Sequence, residues 1–132
     1  METMEKISVS DLSIGDWVRV INQFNAQIYA YHCESGSLSL KTRQGHLVYY
    51  RLEDINPIPL TPEILEENGF THDKWSKKVW RYEDEESEVV YYIESSRLEI
   101  TTNDCKMDIT CKGVAELQHA LRLAKVGKEI EL

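Results

Sequence analysis

Side chains able to bind a metal ion are present, but they are not spaced as metal ligands. The chain has four histidines and three cysteines. His32 and Cys33 are adjacent on a predicted strand, so their side chains point to opposite faces. Cys105 and Cys111 are six residues apart, without a second pair at the spacing of a zinc site. We therefore expect no metal and no cofactor, and we interpret the three thiols as structural.

Acid/base chemistry has one weak candidate, Glu116 with His119, which are neighbours if this segment is helical. Such a pair is more often part of a solvated helix face. The sequence has no Gly-x-Ser-x-Gly elbow, phosphate loop or dinucleotide fingerprint. The acidic run 83–88 lacks the glycine and the spacing of a calcium loop, and it is typical of a solvated hairpin tip. We predict that the protein is not an enzyme, leaving a site assembled from distant residues as a third reading.

Aromatic residues cluster late in the chain and could either pack in the core or bind a partner. They are Trp75, Trp80, Tyr82, Tyr91 and Tyr92. One side of such a strand is buried, and the other could stack on bases or contact a protein. Because only Lys77, Lys78 and Arg81 are interleaved as cations, we expect core packing and a covered sheet face.

The charge balance argues against nucleic acid as the partner. The net charge is −8, and both halves are acidic: residues 1–60 hold five basic and seven acidic residues, and residues 61–132 hold ten and sixteen. Since affinity for nucleic acid depends on Lys and Arg at phosphates, we expect nonspecific binding no tighter than roughly 10⁻⁴ M at physiological salt. A small local basic patch stays compatible with this balance.

Composition indicates a folded cytoplasmic protein. In 132 residues, 42% are hydrophobic and 29% charged, as in ordinary globular domains. No apolar run approaches the length of about 18 residues that spans a bilayer, so we expect no membrane contact. The first ten residues do not have the pattern of a signal peptide. An odd cysteine count fits a reducing compartment.

The first sixty residues predict a small β-barrel-like, SH3-like unit. Short alternating segments indicate strands at Trp17–Ile21, at Ile28–Cys33, around Leu38 and Leu40, and at Leu47–Leu52. Polar turns separate them, the first at 22–25. Prolines at 57, 59 and 62 make the following connector extended and exclude it from the centre of a sheet. We assign residues 1–60 to this unit and 61–132 to a second one.

The second unit is predicted to begin with a short, well-delimited helix. Thr61 is a suitable N-cap, and Pro62 stands at the first helical position. Leu60 and Leu65 are spaced as a hydrophobic staple. Gly69 stands where a left-handed residue ends a helix, so the pattern predicts a helix over Pro62–Asn68 with residue 70 folding back over its last turn.

An antiparallel β-meander and a C-terminal helix are predicted to follow, which makes the fold class α+β. The predicted strands are Val79–Tyr82, Val89–Ile93, Arg97–Thr102 and Lys106–Cys111. The predicted helix runs over 114–126 and is ended by Gly127.

The C-terminal helix carries apolar residues on two sides. A core stripe is formed by Val114, Leu117, Leu121 and Ala124. The nearly opposite side carries Ala115, His119, Leu123 and Val126. Two readings stay open for this second stripe: the connector or barrel covers it within the chain, or it is an interaction surface for a homodimer or a protein partner, centred on Leu123.

Three segments resemble one group of proteins. Asp54–Leu65 running on to Asn68–Phe70, the ending Val114–Leu132 and the opening Leu12–Val18 resemble uncharacterised small proteins of Bacteroides-type gut bacteria. The resemblance implies a prophage or mobile-element setting and no mechanism. We expect a non-enzymatic binding or accessory module that acts through protein contacts. The alternative is a nucleic-acid-associated factor that uses its small β-barrel.

Overall fold

The computed structural model describes residues 14–20, 24–32 and 35–132. The expectations for the N-terminal segment and Cys33 lie outside these ranges. The chain divides into two compact units, residues 1–58 with residue 132, and residues 59–131. The sequence places this boundary two residues later. In the described part of the chain, no helix is long and apolar enough to cross a membrane.

The first unit is a five-stranded antiparallel sheet. Its strands are β1 (Trp17–Val20), β2 (Phe24–His32), β3 (Ser37–Lys41), β4 (Leu47–Arg51) and β5 (Ile55–Asn56). Their order is β4-β3-β2-β1-β5, so β4 and β5 are the edge strands among the described residues, and the sheet is a half-barrel. One face forms the core with Val18, Val20, Ala26, Ile28, Leu38, Leu40 and Ile55. The opposite face is referred to below as the outer face.

The sheet differs from the predicted one at β2. This strand begins at Phe24, so Asn25 is a strand residue that pairs with Arg19 and the predicted turn over 22–25 is wrong at its end. Pairing with β1 overrides the turn preference of a single asparagine. A bulge between Ile28 and Ala30 then shifts the register against β3. β5 is an edge strand, as the prolines after it require.

The second unit combines two helices with a five-stranded meander. Its elements are α1 (Pro62–Glu67), β6 (Thr71–Asp73), β7 (Ser76–Glu83), β8 (Ser87–Tyr92), β9 (Arg97–Thr102), β10 (Lys106–Thr110) and α2 (Val114–Leu123). The strand order β10-β9-β8-β7-β6 confirms the meander and the α+β class. Its first strand, β6, was not predicted, because its three exposed residues have no apolar alternation.

Both ends of α1 follow from local sequence. The Thr61 hydroxyl accepts a hydrogen bond from the Ile64 amide at 3.3 Å. Gly69 has φ +86°, and the Phe70 amide donates to the Leu65 carbonyl at 2.9 Å. These bonds form a Schellman motif, in which the left-handed residue lets the chain reverse over the last turn. The predicted caps are confirmed, with Asn68 as the C-cap rather than the last helical residue.

α2 ends earlier than predicted, and another residue ends it. The helix stops at Leu123, and Lys125 adopts the left-handed conformation with φ +60°. The Val126 amide donates to the Leu121 carbonyl at 2.9 Å, as in α1. Gly127 is therefore not the helix terminator. Early termination places Val126 among the buried side chains, which offsets the strain at Lys125.

Gly69→Ala is expected to lower the free energy of unfolding by about 1 kcal/mol, because alanine pays a steric penalty at positive φ. Space is not the cause, since an added Cβ would meet its nearest atom at 3.9 Å. Urea unfolding measures the change. Lys125→Gly is the reverse substitution, because it places glycine at a positive φ, and it should raise the free energy of unfolding by a similar amount. Gly127→Ala, where φ is not positive and space is open, is the strain-free control and should not destabilise. Equal midpoints for all three variants would contradict this account.

Two buried amide side chains hold the C-terminal segment; we call Asn68 and Gln118 the amide clasp. The Gln118 Oε1 atom accepts from the Ile130 amide at 2.6 Å, and its Nε2 atom donates to the Lys128 carbonyl. Asn68 Oδ1 accepts from the Glu131 amide at 2.7 Å, and Nδ2 donates to the same residue's carbonyl at 2.9 Å. The clasp replaces the sheet partner that this extended segment would otherwise need.

Candidate binding surface

The cysteines do not form a reactive or metal-binding centre in the described residues. Cys105 is half-buried, and Cys111 is fully buried. Burial raises the pKa of the Cys111 thiol to about 12, so the nucleophilic thiolate is scarce at neutral pH. Over residues 14–20, 24–32 and 35–132, no three His, Cys, Asp or Glu side chains are grouped as a metal site.

The predicted surface on α2 is only partly exposed. Leu123 is 75% exposed, whereas Ala115 and His119 are half-buried. Val126 is buried beyond the helix end and so does not belong to this surface. The core stripe of the helix is buried as predicted. The exposed apolar area on α2 is thus centred on one residue, Leu123.

The aromatic cluster of the second unit divides into buried and exposed members. Trp80 and Tyr91 are buried in the core, and Tyr82 and Tyr92 are half-buried. Trp75 is 93% exposed in the turn between β6 and β7. The expectation that this cluster is covered is therefore wrong for Trp75. Its position in a two-residue turn, where no sheet face exists to pack against, accounts for the difference.

The outer face of the first sheet carries exposed aromatic and basic side chains on three neighbouring strands. Cross-strand pairing sets Ala30 beside Ser39 and Ser39 beside Tyr49. Small residues therefore occupy the centre of this face. Exposed side chains surround them: His32, Lys41, Leu47, Tyr49 and Arg51. Tyr29, at the β2 bulge, is a further exposed ring.

A histidine and a tyrosine lie on either side of Ser39 on the outer face. His32 Nε2 is hydrogen-bonded to Ser39 Oγ at 2.7 Å, which fixes the imidazole ring over β3. The ring centroids of His32 and Tyr49 are 6.3 Å apart, with their planes tilted by 43°. Ser39 is only 4% exposed although it lies on the outer face, whereas Tyr49 is 66% exposed. The surface presented to solvent here is therefore aromatic.

Basic residues are concentrated in two stretches of the sequence, one in each unit, and acidic ones are nearly absent from both stretches. Residues 24–51 contain Lys41, Arg43 and Arg51 and a single acidic residue, Glu34. Residues 71–81 contain four basic residues and one acidic residue. The rest of the chain holds eight basic and 21 acidic residues. Counting charge by halves hides this segregation, which a shorter window along the sequence reveals.

No family model, curated protein or solved structure matches this chain.

The chemistry of the outer face indicates what it can bind. Aromatic rings that face solvent can stack on planar groups, and exposed ammonium and guanidinium groups bind anions. Arg51 has one long contact with Glu53, at 3.9 Å between two exposed side chains, which is too weak to neutralise it. Arg43, in the turn between β3 and β4, lines a shallow groove with Phe24 and Thr42.

Proposed function

We propose that the protein is a non-enzymatic binding module whose half-barrel, an SH3-like unit in this proposal, binds single-stranded nucleic acid through its outer face. The observation that carries the proposal is the interleaving of exposed rings with Lys41 and Arg51 on three strands, in a stretch of sequence, residues 24–51, that holds one carboxylate. Non-specific single-strand binding uses these two components, stacking platforms and a basic surface along the backbone.

Each component has identified atoms on the outer face. The Tyr49 ring and the His32 ring can each stack on a base, because stacking requires only an exposed π-face. Lys41 and Arg51 on the outer face, with Arg43 in the adjoining β3–β4 turn, are exposed and supply three charges for phosphates. Unpaired bases are needed for stacking, which favours a single strand over a duplex.

The net charge of −8 does not oppose this proposal as strongly as it first suggests. Screening restricts charge interactions to about 8–10 Å at physiological salt, so cations at the binding surface count for more than distant carboxylates. We therefore expect a Kd on the order of 10⁻⁵ M at low salt, within the range of non-specific binders.

Fluorescence anisotropy of a labelled oligothymidine of about 15 nucleotides tests the proposal. Three phosphate contacts predict that log K falls with log salt with a slope of about −2. A duplex of the same length should bind more weakly, because its bases are already stacked. Absence of binding at low salt, or equal affinity for the duplex, would contradict the proposal.

A protein partner at α2 is the second candidate function. The observation that favours it is Leu123, which is 75% exposed between the half-buried His119 and the exposed Arg122. A homodimer or a partner protein contacting this residue would bury it. With this candidate function we also propose that a phage or mobile element encodes the protein, and the sequence resemblance is the only support for that origin.

The Leu123→Glu variant tests whether Leu123 contacts a protein partner or is simply exposed to solvent. Because Leu123 is exposed, the variant should unfold at the same urea concentration as the wild type, within about 0.5 kcal/mol. If α2 forms a homodimer, light scattering should give the dimer mass for the wild type and the monomer mass for the variant. An unchanged mass would remove the homodimer, and a clear loss of stability would show that Leu123 is covered within the chain.

A further inference from the structure

The turn between β6 and β7 projects a tryptophan into solvent. Asp73 pairs with Ser76, so Lys74 and Trp75 form the two-residue tip of the hairpin. Trp75 is 93% exposed, the largest exposed fraction among the large apolar side chains of the described residues. Tryptophan is seldom left in this state without a partner, because burying its ring contributes more than burying any other side chain.

A ring contact and two hydrogen bonds support the hairpin below this tip. The His72 ring meets the buried Trp80 ring edge-on, with 4.8 Å between centroids. His72 Nδ1 is hydrogen-bonded to the Asp73 carbonyl at 2.8 Å, and Trp80 Nε1 donates to the Lys77 carbonyl at 3.0 Å. The ring contact joins the two strands, and each hydrogen bond fixes a side chain within its own strand, next to a register shift between His72 and Asp73. Trp75 is therefore presented by a supported hairpin, which lowers the entropy lost when a ligand orders it.

The charge around Trp75 is positive. Residues 71–81 hold Lys74, Lys77, Lys78 and Arg81 against a single acidic residue. Lys78 is paired with Glu94 at 3.0 Å. Within the described ranges, Lys74 and Lys77 have no such pair, so their charges are available to an anionic ligand.

We propose that this hairpin tip is a second contact for single-stranded nucleic acid, with Trp75 stacking on a base and Lys74 and Lys77 binding the flanking phosphates. The inference rests on the proposed function, since it assumes the same class of ligand. Tryptophan with two adjacent cations matches the repeating unit of a single strand, a planar base between phosphates.

An anionic membrane is the main competing ligand for a tryptophan and lysines. Binding at a membrane interface scales with the apolar area that enters the headgroup region. The neighbours of Trp75 in the turn are Lys74, Ser76 and Lys77, so a single ring would supply all of that area. A base needs only one ring, which is why we assign nucleic acid as the ligand.

Intrinsic fluorescence reports on this contact directly. The chain has three tryptophans; Trp17 and Trp80 are 7% and 2% exposed, so Trp75 is the one accessible to a stacking base. Titration with unlabelled oligothymidine is expected to quench the emission, and Trp75→Ala should abolish the quenching. The same substitution should weaken anisotropy-measured binding by about fivefold or more. Lys74→Gln with Lys77→Gln should weaken binding, whereas the exposed Lys125→Gln, outside the hairpin, should not.

The outcomes distinguish this inference from the function on which it rests. Binding by anisotropy without quenching, and with Trp75→Ala neutral, overturns the hairpin contact and leaves the outer face intact. If the oligothymidine quenches the emission but substitutions on the outer face do not change the affinity, the hairpin contact is supported and binding by the outer face is overturned. The absence of both signals overturns both. A blue shift with phosphatidylserine vesicles but no response to oligothymidine identifies a membrane contact and overturns the inference.

Discussion

Gln118→Ala is expected to lower the free energy of unfolding by about 2–3 kcal/mol, a larger loss than that expected for Gly69→Ala. Gln118 is 2% exposed, and its amide bonds the Ile130 amide and the Lys128 carbonyl. Removing it takes the Gln118 Oε1 acceptor from the buried Ile130 N–H and frees a segment whose Ile130 side chain is also buried. Urea unfolding followed by circular dichroism measures the loss.

A double-mutant cycle connects this loss to the C-terminal segment. In a chain truncated after residue 127, Gln118 no longer has its partners, so Gln118→Ala should cost clearly less than in the full chain. Asn68→Ala should behave in the same way, because its amide bonds both backbone groups of Glu131. Leu123→Ala, on the same helix as Gln118 but 75% exposed, is the matched control and should change stability by less than about 0.5 kcal/mol. Equal costs with and without the segment would contradict the clasp.

The second large effect is expected on binding. Tyr49→Ala removes an exposed ring of the outer face and should weaken oligothymidine binding by about 5- to 150-fold, the range of one base stack. Stability should change little, since Tyr49 is 66% exposed. Anisotropy titrations of the wild type and the variant measure the change.

Substituting cations separates the electrostatic part of binding from stacking. Lys41→Gln with Arg51→Gln should reduce the magnitude of the salt slope by about 1.4, that of two phosphate contacts on a single strand. The charge-matched control is Lys106→Gln with Lys112→Gln, both exposed residues of the second unit. If both double variants lower affinity equally, the effect is one of net charge, and the outer face has no special role.

Local sequence predicts the elements whose ends are set by neighbouring residues. α1 is the clearest case, because Thr61 and Gly69 each satisfy a requirement of the helix end itself. The end of α2 could not be predicted in this way. Its terminator is Lys125, which has no intrinsic preference for a left-handed conformation, and the burial of Val126 decides it. Strand β2 similarly owes its early start to pairing with β1.

The candidate surface could be predicted only in part. Strand alternation identifies Tyr49 and Arg51 as same-face neighbours along β4, and a short charge window reveals the cations. Neither shows that His32 and Tyr49 lie near each other across β3, since that depends on the register after the bulge. Likewise, the sequence does not show that Trp75 is exposed while Trp80 is buried. One lies in a turn and the other on a buried strand face.

Backbone amide chemical shifts during an oligothymidine titration test the central claim most directly. If the outer face binds single-stranded nucleic acid, the largest shifts should come from residues of β2, β3 and β4, with saturation at the Kd found by anisotropy. Amides of β9 and β10, whose exposed residues lie in the acidic part of the chain, should not move. Shifts concentrated in α2, or small shifts spread evenly over the whole chain, would contradict the assignment of the outer face.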